Sequence, residues 1–592
     1  MASCTDWHWV ALKCTYKLTA LQQWVLHHFS QSYLVFTARH VVIIFLGEDK
    51  IDGYQIWSLQ ASGKPASFSL CPQGNLCDDG HSVTSSQNVK QDSKHTITTL
   101  SRMLLSARPL DCVVFGATGD TGSAACRLLY HHSTRVNINK WAPAARNLTK
   151  LQTNVLDPLV AAAAAMATTP NHWSTPIAAD SNSLPSLIAM CNQTRVVVAC
   201  AGPYSKYGEK VMAACIISGC HYVDVTGEVD WVNAMKKRYN KAATQRGVSL
   251  VSFCGYDSVP MDLSAWLIAD ALRTKGADHA TLIETFVSSQ QIGGGGIPTG
   301  TIHTVLTMVN QMRYKYSFGL LGTAPPKRVK VAAGSVYNQL EVGNNHENDV
   351  LLSKHVKRQT KKDLAFNSQK LYKSPLPDKL VWSAPHFMAS INTPIVHSTA
   401  EHLGLPPFQY HERAMSGGKK SWEKAHGSIS AYIPVVMNFL MMVVAAPFVM
   451  TPFFENLVWW WVKRTNRQAG KMVDHVTNEA GHNVIQQLMN QGKTTGYVQV
   501  KGFGTSVAGN NASTTMESEY DAGIGFTMLS ALSIAGELNR SKGDVLVPNS
   551  NGFQTPVCAV GGNLLKQALN KAGVRVSVEV DGSGSGTCSS KL

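Results

Sequence analysis

The alternation of apolar and polar positions changes character along the chain. Through residue 102, aromatic and histidine-rich stretches mix with the polar segment Asp78 to Thr99 and show no sustained period, so residues 1–102 stay an unassigned extension. From Asp111 the pattern becomes a short apolar run, a glycine turn and a helix, repeated, as a parallel sheet with crossover helices requires. The apolar runs predict strands over Cys112–Phe115, Trp141–Ala145, Pro176–Ala179, Val196–Cys200, Tyr222–Val225 and Ser249–Phe253. Helices are predicted over Thr121–His131, Leu184–Cys191, Lys210–Ser218 and Val232–Arg246. The fold class is therefore α/β, a doubly wound Rossmann sheet over 103–276. From Ala277 the pattern differs: a strand over Thr281–Val287, the glycine run Gly293–Gly296 and a helix over Thr301–Met312. These predict an inserted α+β substrate or dimerisation domain over 277–500, which leaves a homodimer open.

Within that domain, Ala431 to Phe454 carries no charge, and the segment 431–462 runs on into Trp459-Trp460-Trp461 before Lys463-Arg464. It is long enough to reach a bilayer, but Pro447 and Pro452 favour an interfacial or re-entrant hairpin over a straight span. A buried helix pair at a dimer interface is the alternative. The tail 581–592 is Gly/Ser-rich and ends in Ser590-Lys591-Leu592, the address read by the peroxisomal import receptor. A peroxisome or glycosome is thus the expected location, with a lipid droplet or organelle membrane surface as the alternative.

Composition narrows this further. Apolar residues make up 44% of the chain and charged residues 15%, in keeping with a folded protein that contacts lipid but is not polytopic. The net charge of +15 favours an anionic partner. The densest basic run, Lys354 to Lys362, lacks interleaved aromatics and reads as a solvated loop, so no nucleic-acid partner is expected. The thirteen cysteines include no Cys-x-x-Cys pair, which argues against structural zinc, and no metal site is expected. Those in apolar runs, such as Cys112, Cys126, Cys200 and Cys215, read as small hydrophobes.

The strongest motif is Gly116-Ala117-Thr118-Gly119-Asp120-Thr121-Gly122, between the first strand and its helix. Glycine at 116 permits the tight turn, at 119 the approach of a pyrophosphate, and at 122 close packing of helix on sheet, with the phosphate on the helix N-terminus. After the second strand the chain has Arg146 and Lys150 where a NAD-preferring domain places an acid. A planar guanidinium suits a 2′-phosphate, so NADP(H) is preferred and NAD(H) is the alternative. Asp180 follows the third strand, where an acid often lies near the adenine. Gly202 and Tyr204 follow the fourth, on the nicotinamide side. Asp224, Glu228 and Asp257 lie at carboxyl ends of later strands, the edge where such folds bind ligands, and are the candidate catalytic acids. Each could instead cap a helix or brace a loop.

Together with Val113 to Gly119, the segments Ala201-Gly-Pro-Tyr-Ser-Lys-Tyr-Gly208, His221-Tyr-Val-Asp-Val-Thr-Gly-Glu228, Cys254-Gly-Tyr-Asp-Ser-Val-Pro260, Gly300-Thr301 and Gln554-Thr-Pro556 resemble the saccharopine dehydrogenase-like oxidoreductases, which include trans-acting enoyl reductases. The resemblance covers roughly Arg108 to Val580 and makes Met103 a natural start. It implies nicotinamide-dependent hydride transfer, a C-terminal segment over 501–580, including a helix Asn563–Lys571, that completes the fold, and a lipid-contacting role for the apolar stretch. Lysine-pathway saccharopine chemistry needs arginines fixing several carboxylates, and the sheet edge shows Lys206 and Lys210 with no arginine cluster. A lipid-derived enoyl or carbonyl substrate fits better. With no tyrosine–lysine pair in evidence, a non-catalytic lipid-surface scaffold that kept the fold is the second reading.

Overall fold

The computed structural model describes residues 32–36, 40–45, 56–60, 108–166, 173–276, 278–291, 354–367, 372–373, 382–386, 388–415, 451, 453, 456–457, 460, 496–520, 522–540 and 551–581. The glycine run 293–296, the helix expected over 301–312, the apolar segment 431–450 and the tail 582–592 lie outside the described residues. The chain divides into two compact units, one of Met1–Ile97 with Val331–Val342 and one of the remainder. In the first, β1 (Ser32–Phe36), β2 (His40–Phe45) and β3 (Ile56–Gln60) form an antiparallel sheet.

The second unit begins with β4 (Leu110–Phe115), α1 (Asp120–His132), β5 (Trp141–Ala145) and, after a helical stretch over 148–166, β6 (Ile177–Ala178). It continues through α2 (Leu184–Cys191), β7 (Thr194–Ala199), α3 (Tyr204–Ser218), β8 (His221–Asp224), α4 (Val229–Gln245) and β9 (Ser249–Val251). These strands pair in parallel, as the alternation predicts. Cys112 to Val114 and Val196 to Val198 are fully buried, because central strands of a doubly wound sheet are covered on both faces. Six strands are predicted from the alternation, yet the sheet has seven: β16 (Gly552–Gln554) returns from far along the chain to pair beside β9.

A long helix α5 (Val259–Gly276) leaves this sheet and packs on a second, mixed one. That sheet has the order β11 (Tyr372–Lys373), β12 (Trp382–Pro385), β13 (Gln409–Met415), β10 (Ala280–Gln291), β14 (Gly496–Ser506), β15 (Asn511–Ser518) and β17 (Arg575–Asp581). Only β10 and β13 run parallel. β14 crosses the domain boundary expected at residue 500, since its pairing with β10 continues over its whole length. A Cβ at Gly504 would come within 2.2 Å of the Ile268 side chain, so small residues on β14 let α5 lie close to the sheet.

Between β10 and β13 lie α6 (Lys354–Asn367) and α7 (Ala389–His402). The basic run read as a loop is thus helical. Val356, Thr360 and Asp363 share a buried face at spacings of four and three, while Lys357, Arg358, Lys361 and Lys362 are exposed.

Between β15 and β17 come α8 (Thr527–Asn539), α9 (Pro556–Val560) and α10 (Gly562–Lys571). Every residue of α8 from Met528 to Glu537 is buried, because the helix lies across β4, β7 and β8 and beside α1. Asn137, beyond the end of α1, donates to Glu537 at 2.7 Å. Among the described residues no helix is long and apolar enough to cross a membrane. Of the apolar segment's described positions, Phe453 is 62% and Trp460 56% exposed.

The approach of α8 gives a direct test. A Cβ at Gly536 would lie 1.7 Å from the Val136 carbonyl oxygen, a backbone atom that cannot swing away. Gly536→Ala is expected to destabilise this unit by about 1–3 kcal/mol, read as a lowered denaturation midpoint with an unchanged slope.

Candidate functional site

Where β4 ends, the chain turns through Gly116 at φ +84°, a left-handed conformation that favours glycine. A Cβ there would also meet the Ala201 amide nitrogen at 2.9 Å. Gly116 and Ala117 donate to the Ala144 carbonyl at 3.0 and 3.1 Å, and Gly119 donates back to Gly116 at 3.0 Å, which closes the turn. At Gly122 a Cβ would fall 2.3 Å from the Gly116 carbonyl oxygen, so the third glycine serves helix–turn packing. Gly119 differs. A Cβ there meets only the Gly116 oxygen, at an ordinary 3.5 Å, and no side chain caps α1.

The other expected cofactor contacts flank this turn. Arg146 and Lys150 are exposed just beyond β5, the neighbour of β4, and the Asn147 side chain accepts from the Lys150 amide at 2.8 Å. Asp180 is half-buried and its carboxylate accepts from the Asn182 amide at 2.9 Å, which braces the turn into α2. Gly202 is exposed and precedes a cis peptide to Pro203. Tyr204 does not present its hydroxyl to that opening. The hydroxyl donates to the Ala199 carbonyl at 2.9 Å inside the fold, and burial, then Asp224, raises its pKa well above the usual range. Lys210 reaches the Asn182 carbonyl at 2.8 Å.

The three acids named as catalytic candidates have three different environments. Glu228 accepts from the Tyr204 and Ser205 amides at 2.8 and 3.0 Å. It therefore clamps the N-terminus of α3, the helix after the Gly202 turn, instead of capping α4, which it immediately precedes. Both carboxylate oxygens thus accept from backbone amides. The longer α3, starting at Tyr204 where a start at Lys210 is expected, reflects the same clamp.

Asp224 is fully buried and accepts from the Thr226 amide and the Ser252 hydroxyl, each at 3.1 Å. It ties the β8 and β9 loops together beneath the surface. Burial pushes its pKa up to about 7 against the lowering effect of those hydrogen bonds.

Asp257 alone of the three is only part-buried. It follows Phe253, a buried residue held at φ +65°, and such strained backbone concentrates at functional edges. Burial raises the Asp257 pKa to about 6, with His386 lowering it and Glu412 raising it. His386 and Glu412 come from β12's end and β13 of the second sheet. Their side chains are in direct hydrogen-bond contact, His386 Nδ1 to Glu412 Oε1. Asn392 on α7 donates to the same oxygen at 2.9 Å and accepts from Ser258 at 3.0 Å. Tyr410 donates to the other Glu412 oxygen at 3.4 Å and meets Thr285 at 2.7 Å. Nothing in the sequence marks His386, Asn392 or Glu412, which are separated from Asp257 by more than a hundred residues of chain.

The structure also gathers Cys191, Cys215 and Cys220, all buried, with sulfurs within 4.8 Å of one another, where no such cluster is expected from their spacing.

A parallel sheet with a strand that ends in a glycine turn against a helix N-terminus has the arrangement of a dinucleotide-binding domain. Residues 112–251 match the family model of the saccharopine dehydrogenase NADP binding domain. The chain is 33% identical over 209 residues to a protein of Mycobacterium tuberculosis named as a trans-acting enoyl reductase, covering 35% of this chain and 46% of that one. It is 33% identical over 189 residues to the saccharopine dehydrogenase-like oxidoreductase of Homo sapiens, covering 31% and 42%. A Caenorhabditis elegans protein named as lipid droplet localized matches at 36% over 153 residues, covering 26% and 34%. The matched region thus spans less than half the length of these relatives.

Asp224 supplies a pH test of the fold. A carboxyl held near 7 when folded, against about 4 unfolded, contributes stability that is full below pH 4 and lost as pH rises through 7. Asp262, buried on α5 with its pKa also raised to about 7, acts in the same direction. Melting temperature is therefore expected to fall across that interval, and Asp224→Asn, which keeps the shape but has one acceptor oxygen in place of two, should flatten the fall by a few degrees in pH-resolved melts.

Proposed function

We propose that this protein is an NADP(H)-dependent reductase acting on an enoyl or carbonyl group of a lipid-derived substrate. The observation that carries the nucleotide part is Gly119. Its smallness answers no packing need within the protein, unlike that of Gly116 and Gly122, and it sits at the uncapped start of α1, where a pyrophosphate needs close backbone approach. When bound there, the cofactor supplies hydride from its nicotinamide. Arg146, exposed beside the glycine turn, would pair with the 2′-phosphate, with Lys150 adding charge. NAD(H) would lose that pairing.

The Glu228 clamp on α3 fixes the Gly202 turn that faces the nicotinamide side. At the same edge Asp257 and His386 are the groups placed to deliver a proton to the reduced substrate, with Glu412 and Asn392 orienting the imidazole. A lipidic substrate is supported by the enoyl reductase and lipid-droplet names of the relatives and by exposed Phe453 and Trp460, which suit contact with a lipid surface.

Calorimetry on the full chain tests the cofactor reading. Arg146→Ala is expected to weaken NADPH about tenfold or more, the scale of a charge-assisted contact, while NADH changes by less than about twofold. Failure of both nucleotides to bind would favour the scaffold reading instead.

The proton reading is tested by pH. In the reductive direction the protonated form of Asp257 is the competent one, so turnover of a trans-2-enoyl thioester by NADPH should fall as pH rises through about 6. Asp257→Asn should lower turnover on the order of 10²-fold and erase that limb, with NADPH affinity intact.

A further inference from the structure

The cysteine cluster lies at the opposite edge of the parallel sheet from the glycine turn. Cys191 ends α2, Cys215 lies in the last turn of α3, and Cys220 precedes β8. Two of the three are set by one backbone device. Gly219, at φ +69°, caps α3 in the left-handed conformation, and the Cys220 amide donates to the Cys215 carbonyl at 2.8 Å, which folds Cys220 back under the helix end. Cys191 then approaches from α2, its sulfur 3.7 Å from that of Cys215. All three residues are 0% exposed.

A cation is already built in beside them. Arg108 donates to the Cys191 carbonyl at 2.9 Å and the Thr194 carbonyl at 2.6 Å, and also to that of Ser218. Cys220 Sγ faces the Arg195 and His221 carbonyls, and the three sulfurs converge beside the Arg108 guanidinium.

We infer that Cys191, Cys215 and Cys220 form a binding site for a soft monovalent cation, copper(I) being the fitting ion. The cluster consists of thiols only, with no carboxylate or imidazole among its members. Three sulfurs, with no fourth ligand group beside them among the described residues, suit trigonal coordination, whereas zinc takes four ligands, and thiolates select copper(I) among the common soft ions. With metal–sulfur bonds of about 2.3 Å, a trigonal site sets its sulfurs about 4 Å apart. The Cys191 and Cys215 sulfurs are 3.7 Å apart, and all three lie within 4.8 Å of one another. Binding would displace thiol protons, with Arg108 offsetting part of the remaining negative charge, and would tie α2, α3 and β8 together.

The test uses the full, reduced chain, titrated anaerobically with copper(I) held by a coloured chelator. Because the chain has thirteen cysteines, binding is read as a difference. The unaltered protein is expected to take one copper more per chain than the Cys191→Ser/Cys215→Ser/Cys220→Ser variant. X-ray absorption of that copper should show three sulfur neighbours. A second readout needs no variant: in the unaltered protein under mild denaturant, one equivalent of copper should slow alkylation of Cys191, Cys215 and Cys220 at least tenfold while Cys254 and Cys558 change little. Equal copper uptake by both proteins, or equal alkylation with and without copper, would overturn the inference.

Discussion

The site rests on how closely backbone can approach backbone where the central strands end. Gly116 sits against the Ala201 amide in a left-handed conformation, and Gly122 sits against the Gly116 carbonyl. Both contacts exclude a Cβ, so the β4 turn, the β7 turn and the start of α1 are fixed to one another without any side chain between them. That leaves the edge of the sheet open at Gly119 and Gly202. Everything proposed for the cofactor depends on this opening.

Side chains then stabilise the arrangement from below. Glu228 reaches from the β8 loop to the first amides of α3, and Asp224 joins the β8 and β9 loops through Thr226 and Ser252. These acids lie at the ligand-binding edge in sequence and in space, yet their oxygens are satisfied by the protein. A carboxylate taken from water needs such partners. Asp257 differs because its neighbours, His386 and Glu412, come from the other sheet and create an electrostatic environment instead of a cap.

The second sheet reaches the first through α5 and through the late segment. Helix α5 starts just beyond Asp257 and lies close on β14, while α8 covers β4, β7 and β8 and β16 extends the parallel sheet. Segments far apart in the chain thus enclose one edge. The His386–Glu412–Asn392 group is joined by hydrogen bonds between a strand and a helix of the second sheet's layer.

By itself the sequence determined the parallel sheet and its glycine turn, since these are written in local patterns: buried strands as continuous apolar runs, and glycines at the spacing a phosphate turn needs. The strands from Cys112 to Val251 fall within a few residues of where the pattern places them. Tertiary structure decided what local pattern cannot encode. It turned Glu228 and Tyr204 inward, added β16 as a seventh strand, made the basic run a helix, and brought His386 to Asp257 and Cys191 to Cys215 and Cys220. The physical reason is common to all of these. A side chain's role is set by which partners desolvate it and satisfy its hydrogen bonds, and those partners lie on other elements, at sequence separations over which no periodicity survives.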